Sequence, residues 1–225
     1  MPVSGKPARQ RVLIVDDHPI VRHGLVRMIE ASPDLAVCGE VETVADAKRA
    51  IRELAPDVVT VDLTLGQGDG LELVRDVRAQ LPRLPMLVLS MHEETIYAER
   101  MLAAGALGYI MKEAASDQLL IALRRVLSGK VYLSESLAAR LRTRGALPAG
   151  GQAEDPLTRL SNREIQVLAK IGRGLSSRAI AADLTLSVKT VESHRQSIKR
   201  KLNLTSNSQL LQYALTFDRT SRGEG

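Results

Sequence analysis

Three carboxylates, a hydroxyl and an amine stand where short apolar runs end: Asp16-Asp17, Asp62, Ser90 and Lys112. Acids brought into one pocket repel each other unless a cation joins them. Mg²⁺ suits such a pocket, because it takes oxygen ligands and keeps positions open for phosphate oxygens. With an ion held by Asp16 and Asp17, Asp62 is placed to attack a phosphoryl group while Ser90 and Lys112 bond two of its oxygens. The product of that attack is an acyl phosphate on Asp62.

That chemistry requires elements that bring distant residues together. Val58 to Val61 is a β-branched run leading into Asp62, after Pro56-Asp57 and before Gly66, Gly68 and Gly70. It reads as a central strand buried on both faces of a parallel sheet, with Asp62 at the carboxyl edge where open α/β sheets place ligand chemistry. Arg11 to Val15 is a second apolar strand ending at Asp16-Asp17, Leu35 to Cys38 a weaker one, Met86 to Leu89 ends at Ser90, and Gly108 to Met111 ends at Lys112. Helical patterns separate and follow them: Pro19 to Ile29, Val44 to Leu54, Gly70 to Gln80, Thr95 to Ala104 and Ser116 to Leu127. Five strands alternating with five helices imply parallel pairing through right-handed crossovers. Four strand ends then supply one complementary set of groups.

The bulk composition narrows the setting. The single cysteine, Cys38, excludes an internal disulfide and fits a reducing compartment, with packing as its expected role. No apolar run approaches membrane-spanning length, and the N-terminus does not read as a signal peptide, so a soluble, cytoplasmic protein without a membrane partner is expected. With one Phe, four Tyr and no Trp, a stacking platform for single-stranded bases is not expected. His18 and His92 lack a His or Cys at ligand spacing and read as solvent-facing. Residues 1–132 carry 16 Lys+Arg against 18 Asp+Glu, and residues 133–225 carry 15 against 8, so only the C-terminal part suits a polyanion.

Asp16-Asp17-His18-Pro19, Val61-Asp62-Leu63, Leu89-Ser90 and Gly108-Tyr109-Ile110-Met111-Lys112 together resemble the receiver domain of bacterial two-component response regulators over roughly residues 9–129. The resemblance implies that Asp62 is the phosphoacceptor, charged by a sensor histidine kinase. It implies Mg²⁺ bound by Asp17, Asp62 and the backbone carbonyl of Thr64, with Asp16 assisting through water. Ser90 and Tyr109 would be the switch pair, the ring following the hydroxyl inward and remodelling the face of the fourth and fifth helices. Thr64 and His92 match positions that tune the lifetime of the phosphoryl group. The chain departs from the pattern at Gly66, where many relatives have proline. A more flexible loop is the expected consequence.

Beyond a Gly- and Pro-rich stretch only helices are readable. Ser161-Asn162-Arg163-Glu164 is a capping box that starts a helix with Ile165, Leu168 and Ala169 inward. Ser176 caps a short helix, Thr185-Leu186-Ser187 makes a tight turn, and Ser187 caps a longer helix to about Leu202. Val188, Val191, Ile198 and Leu202 are expected inside that helix, and Lys189, Glu192, Ser193, Gln196 and Arg200 outside. These outer side chains suit base edges in a major groove, and Lys199, Arg200 and Lys201 suit phosphates. His194 fits packing at least as well as DNA contact. A last helix carries Leu210, Leu211, Ala214 and Leu215 on one side.

Leu160 to Glu164, Gly174-Leu175-Ser176, Ile180-Ala181 and Ser187 to His194 through Lys201-Leu202 are similar to the DNA-binding domain of the LuxR/NarL/FixJ regulators over about residues 157–217. The similarity implies a four-helix domain whose recognition helix includes Thr190 and presents Glu192, Ser193 and Gln196 to bases. It also implies a last helix that joins two protomers on a two-fold operator.

The expectation is thus an α/β chain: a five-stranded, parallel, doubly wound, flavodoxin-like receiver over 9–129, a linker over 130–156, and a small all-α helix-turn-helix domain over 157–219. The implied partners are double-stranded DNA, a sensor histidine kinase, a second copy when phosphorylated or DNA-bound, and RNA polymerase as a further candidate. Enzymatic turnover is not expected beyond slow loss of the phosphoryl group from Asp62. Two competing readings are a regulator that works without phosphorylation and a metal-dependent phosphohydrolase. Asp62-Leu63-Thr64 lacks the second acid that the hydrolase would use as proton donor.

Overall fold

Val58–Asp62 (β3) is buried along its whole length, as a strand covered by helices on both faces must be. In the computed structural model it lies at the centre of a five-stranded parallel sheet. The other members are β1 (Gln10–Val15), β2 (Leu35–Val41), β6 (Met86–Ser90) and β7 (Gly108–Met111), in the order β2-β1-β3-β6-β7. The described residues are 9–66, 68–91, 94–143 and 156–222. They divide into one unit within Met1–Ala149 and another within Gly150–Gly225.

Helices α1 (Pro19–Glu30), α2 (Val44–Leu54), α3 (Gly70–Gln80), α4 (Glu94–Ala104) and α5 (Ala115–Leu127) connect or follow the strands. Alternate strand residues Val12, Ile14, Val58, Leu87, Leu89 and Ile110 share one cluster with Leu25 and Ile29 of α1 and with Leu119, Leu123 and Val126 of α5. The two-residue period of a strand thus sorts the core. Register sets the height of the reactive edge: Val15 pairs with Val61, Asp62 with Leu89, and Ser90 with Met111. Asp16 and Lys112, each one residue further on, therefore leave the sheet at the same rim. Gly70 begins α3 so close to β3 that an added Cβ would lie 2.3 Å from the Asp62 carbonyl oxygen.

Two features depart from the sequence-based expectations. A short antiparallel ribbon, β4 (Thr64–Leu65) with β5 (Gly68–Asp69), follows β3 where only a flexible loop was expected. The start of the expected linker also packs on the first unit. The Tyr132 N–H donates to the Leu107 carbonyl at 2.8 Å, and the Tyr109 N–H donates to the Tyr132 carbonyl at 3.1 Å. Edge strand β7 offers unpaired backbone groups, and this segment satisfies them. It continues into α6 (Glu135–Thr143), where Leu137 is buried. Residues 144–155 of that linker lie outside the described residues.

The second unit is helical: α7 (Asn162–Gly172), α8 (Ser177–Asp183), α9 (Val188–Lys201) and α10 (Asn207–Arg222). Ser161, Ser176 and Ser187 cap the first three by accepting from the amides of Glu164, Ala179 and Thr190. Among the described residues no helix is long and apolar enough to cross a membrane.

Candidate functional site

The predicted groups from four strand ends are gathered at one rim. The Lys112 ammonium, only 4% exposed, donates to Asp62 Oδ2 at 2.6 Å and lies 2.7 Å from Asp16 Oδ2. Both acids are buried. The Asp62 carboxylate also accepts from the Thr64 N–H at 3.2 Å through Oδ1. Burial lifts its pKa from 3.8 to about 6; Lys112 opposes that rise and Asp16 adds to it. Lys112 thus keeps the buried Asp62 carboxylate largely ionised at neutral pH.

Asp17 completes the acid set. Its Oδ2 accepts from the Gly66 N–H at 2.7 Å, while its Oδ1 is buried and accepts no hydrogen bond. Asp16 Oδ2 is likewise buried without hydrogen-bond geometry, despite its nearness to Lys112. Arg22 steadies this turn: its guanidinium donates to the Asp16 carbonyl at 2.6 Å and to Glu42 Oε1 at 2.5 Å. Buried carboxylate oxygens that lack hydrogen-bond geometry, in a set of hard oxygen ligands, fit a divalent cation.

His18 is expected to face solvent. Its side chain is 57% exposed, yet its Nδ1 lies 2.8 Å from Asp17 Oδ1, 3.3 Å from Asp16 Oδ1 and 3.5 Å from Asp62 Oδ2. Direct succession to the acid pair was the only sequence signal for this. Cys38 is half-buried on β2.

Ser90 and Tyr109 are both buried, and their side chains share a hydrogen bond. Burial pushes the Tyr109 phenol well above its ordinary pKa. The ring expected to move inward is already inside in this structure. His92 lies outside the described residues.

On the second unit, Val191 and Ile198 anchor α9 in the core. Lys189, Glu192, Ser193, Gln196 and Arg200 are exposed together on its outer face, as expected. Val188, expected inside, is 45% exposed because it opens the first turn before the helix meets its neighbours. Glu192 Oε1 accepts from the Ser177 hydroxyl of α8 at 2.5 Å. The Thr190 hydroxyl is spent on the helix cap with Ser187, and Lys199 donates to Asn207 Oδ1 at 3.2 Å.

Lys201 is expected on phosphates; in this structure its ammonium donates to Glu164 Oε2 at 2.7 Å, an oxygen that also accepts from the Ser161 N–H at 2.6 Å. Burial raises the Glu164 carboxyl, and hydrogen bonds from Lys201, Ser197 and the Ser161 amide outweigh it, leaving the group below its ordinary pKa. Lys201 therefore neutralises a buried acid. His194 is half-buried, and burial lowers its pKa.

A doubly wound parallel sheet with an acid, hydroxyl and amine cluster at its carboxyl rim, in a chain that also carries a capped helix-turn-helix, defines a receiver-type switch protein with an output domain. Comparison with known proteins agrees. The family model of the response regulator receiver domain matches residues 12–124, and that of bacterial regulatory proteins of the luxR family matches residues 158–214. Response regulator GacA of Pseudomonas aeruginosa is 36% identical over 200 residues, covering 89% of this chain and 92% of that protein. Oxygen regulatory protein NreC of Staphylococcus epidermidis is 34% identical over 210 residues, covering 91% and 96%. Among solved structures, RcsB of Salmonella enterica serovar Typhimurium, bound to promoter P1flhDC in the presence of the phosphomimetic BeF3−, matches with a TM-score of 0.56 at 29% identity, covering 92% of this chain and 98% of that one. This chain belongs to the luxR family of bacterial response regulators.

Proposed function

We propose that the chain is a DNA-binding transcriptional regulator switched by phosphorylation of Asp62. The observation that carries this reading is the buried Lys112 ammonium set between Asp16 and Asp62 at the sheet rim. The donor is the phosphohistidine of a sensor kinase. A carboxylate oxygen of Asp62 forms the new O–P bond as the P–N bond to the imidazole breaks. Ser90 and Lys112 donate to two phosphoryl oxygens. Mg²⁺, held by Asp17, Asp62 and the Thr64 carbonyl with Asp16 assisting, would supply charge neutralisation at the phosphoryl group when bound. Slow hydrolysis of the acyl phosphate resets the switch.

Ser90, already hydrogen-bonded to Tyr109, couples the phosphoryl group to the β7 edge. Phosphorylation biases a two-state receiver spanning residues 9–129 toward dimerisation and DNA binding by the domain over 157–219, through the linker at 130–156. Lys189, Glu192, Ser193 and Gln196 face base edges, and Arg200 and Lys199 face phosphates. Lys201 is left out of that set. Leu211 and Leu215 of α10 remain exposed while Leu210 and Ala214 are buried, which supports pairing of α10 with a second copy on a two-fold site. A single, half-buried cysteine suits a reducing, cytoplasmic setting.

Selecting bound DNA from a random pool, with and without acetyl phosphate and Mg²⁺, tests the reading. A two-fold symmetric site recovered far more strongly from phosphorylated protein is expected, with that dependence lost in Asp62→Ala. Full inducibility of transcription in an Asp62→Ala strain that cannot be phosphorylated would overturn it.

A further inference from the structure

We infer that Gly66 is a positioning residue for the cation site, its backbone N–H fixing one oxygen of Asp17 so that the other stays available to the metal. The inference rests on the reading of Asp17 as a cation ligand. Gly66 directly follows β4 in the short loop of the ribbon in which Thr64 pairs with Asp69 and Leu65 with Gly68. Tight hairpins of this length need a residue at positive φ, and Gly66 has φ 51°. That turn aims its N–H at Asp17 Oδ2, 2.7 Å away and 49 residues distant in sequence.

The bond divides the carboxylate. Oδ2 is held by a charge-assisted hydrogen bond, while Oδ1 is buried without hydrogen-bond geometry, 2.8 Å from the exposed His18 ring, and grouped with Asp16, His18 and Asp62 ligand atoms. An oxygen so oriented loses less freedom on meeting a cation, which is how groups behind the direct ligands tune metal affinity. Proline has no N–H and fixes φ near −65°, so it could supply neither the bond nor this turn. A side chain as such is not excluded, because a Cβ at Gly66 would meet only Asp17 Oδ2, at an ordinary 3.7 Å. Asparagine, which tolerates the left-handed region, keeps both the N–H and the turn.

The test is calorimetric titration of the full chain with Mg²⁺, without any phosphoryl donor. Gly66→Pro should bind Mg²⁺ about 10- to 100-fold more weakly than wild type, and Gly66→Asn should stay within a few-fold of it. Metal-free wild type should also show a Gly66 amide resonance that shifts strongly in Asp17→Ala, a measurement that holds even if Gly66→Pro folds poorly. Equal Mg²⁺ binding by wild type and Gly66→Pro, or a Gly66 amide indifferent to Asp17→Ala, would overturn the inference while leaving the phosphorylation reading intact. A wild-type chain that takes up no Mg²⁺ would overturn the metal assignment and this inference together.

Discussion

Asp62→Asn should stabilise the metal-free protein at neutral pH while abolishing phosphorylation. Burial raises the Asp62 carboxyl from 3.8 to about 6, against the lowering effect of Lys112 and with a smaller rise from Asp16. Between those two values the folded protein holds a proton that the unfolded chain has released. Stability therefore falls as pH climbs from about 4 to about 6, and levels off above, where the cost of the buried charge is complete. At 1.36 kcal/mol per pKa unit the full effect is about 3 kcal/mol. That shift already includes the attraction of Lys112, so a neutral asparagine should recover most of it, a gain of up to about 3 kcal/mol above pH 7. Urea melts at several pH values in a chelator measure it, followed by near-ultraviolet dichroism of tyrosine, since Tyr97, Tyr109 and Tyr132 lie in the first unit and only Tyr213 in the second. Wild-type and Asp62→Asn profiles that run parallel from pH 4 to 8 would refute the reasoning, as would a variant less stable than wild type throughout.

The second unit yields three further predictions. Lys201→Met strands the buried Glu164 carboxylate and should destabilise the helical unit by about 1–3 kcal/mol, because the lost partner is itself partly exposed; the thermal melt should drop well before any DNA effect is measured, and unchanged stability would return Lys201 to the phosphate-contacting set. Gln196→Ala should change base preference at one position of each half-site, whereas Arg200→Ala should weaken binding on all sequences and reduce the salt slope by about 1, both read from binding titrations at several salt concentrations. Thr185→Gly should leave the helical unit as stable or stabilise it by about 1 kcal/mol, since Thr185 holds a φ of 54° that costs a β-branched residue strain; a clear fall in melting temperature would show that its side chain matters more than its backbone.

The rim of the sheet was legible because each reactive residue ends an apolar run, and parallel strands in register must bring such ends together. Asp16, Asp62, Ser90 and Lys112 needed no knowledge of side-chain packing beyond that. The caps of α7, α8 and α9 were equally legible, since a serine bonding an amide three residues on is a purely local event. What escaped were bonds between partners distant in sequence: the Gly66 N–H on Asp17, Lys201 on Glu164, and Tyr132 along β7. A helical wheel puts Lys201 among basic neighbours but cannot say that a buried acid waits on another helix. A glycine count at the loop after β3 suggests looseness, whereas the ribbon and its positive φ make that loop a specific donor.

These omissions share a physical cause that bears on how the receiver works. In each, a polar group left over by regular structure is satisfied by a partner that the fold, not the local sequence, delivers. The Asp17 carboxylate is held from the β4–β5 turn, and those of Asp16 and Asp62 both meet Lys112 beyond β7, so the three acids are oriented from two separate elements. Movement of either element changes the geometry offered to a cation or a phosphoryl group. On the proposed function, a phosphoryl group on Asp62 that draws in Lys112 and Ser90 would pull on β6 and on β7, whose Tyr109 amide donates to the Tyr132 carbonyl. A switch built this way needs no large rearrangement of the sheet, only a change in which partners those few polar groups keep.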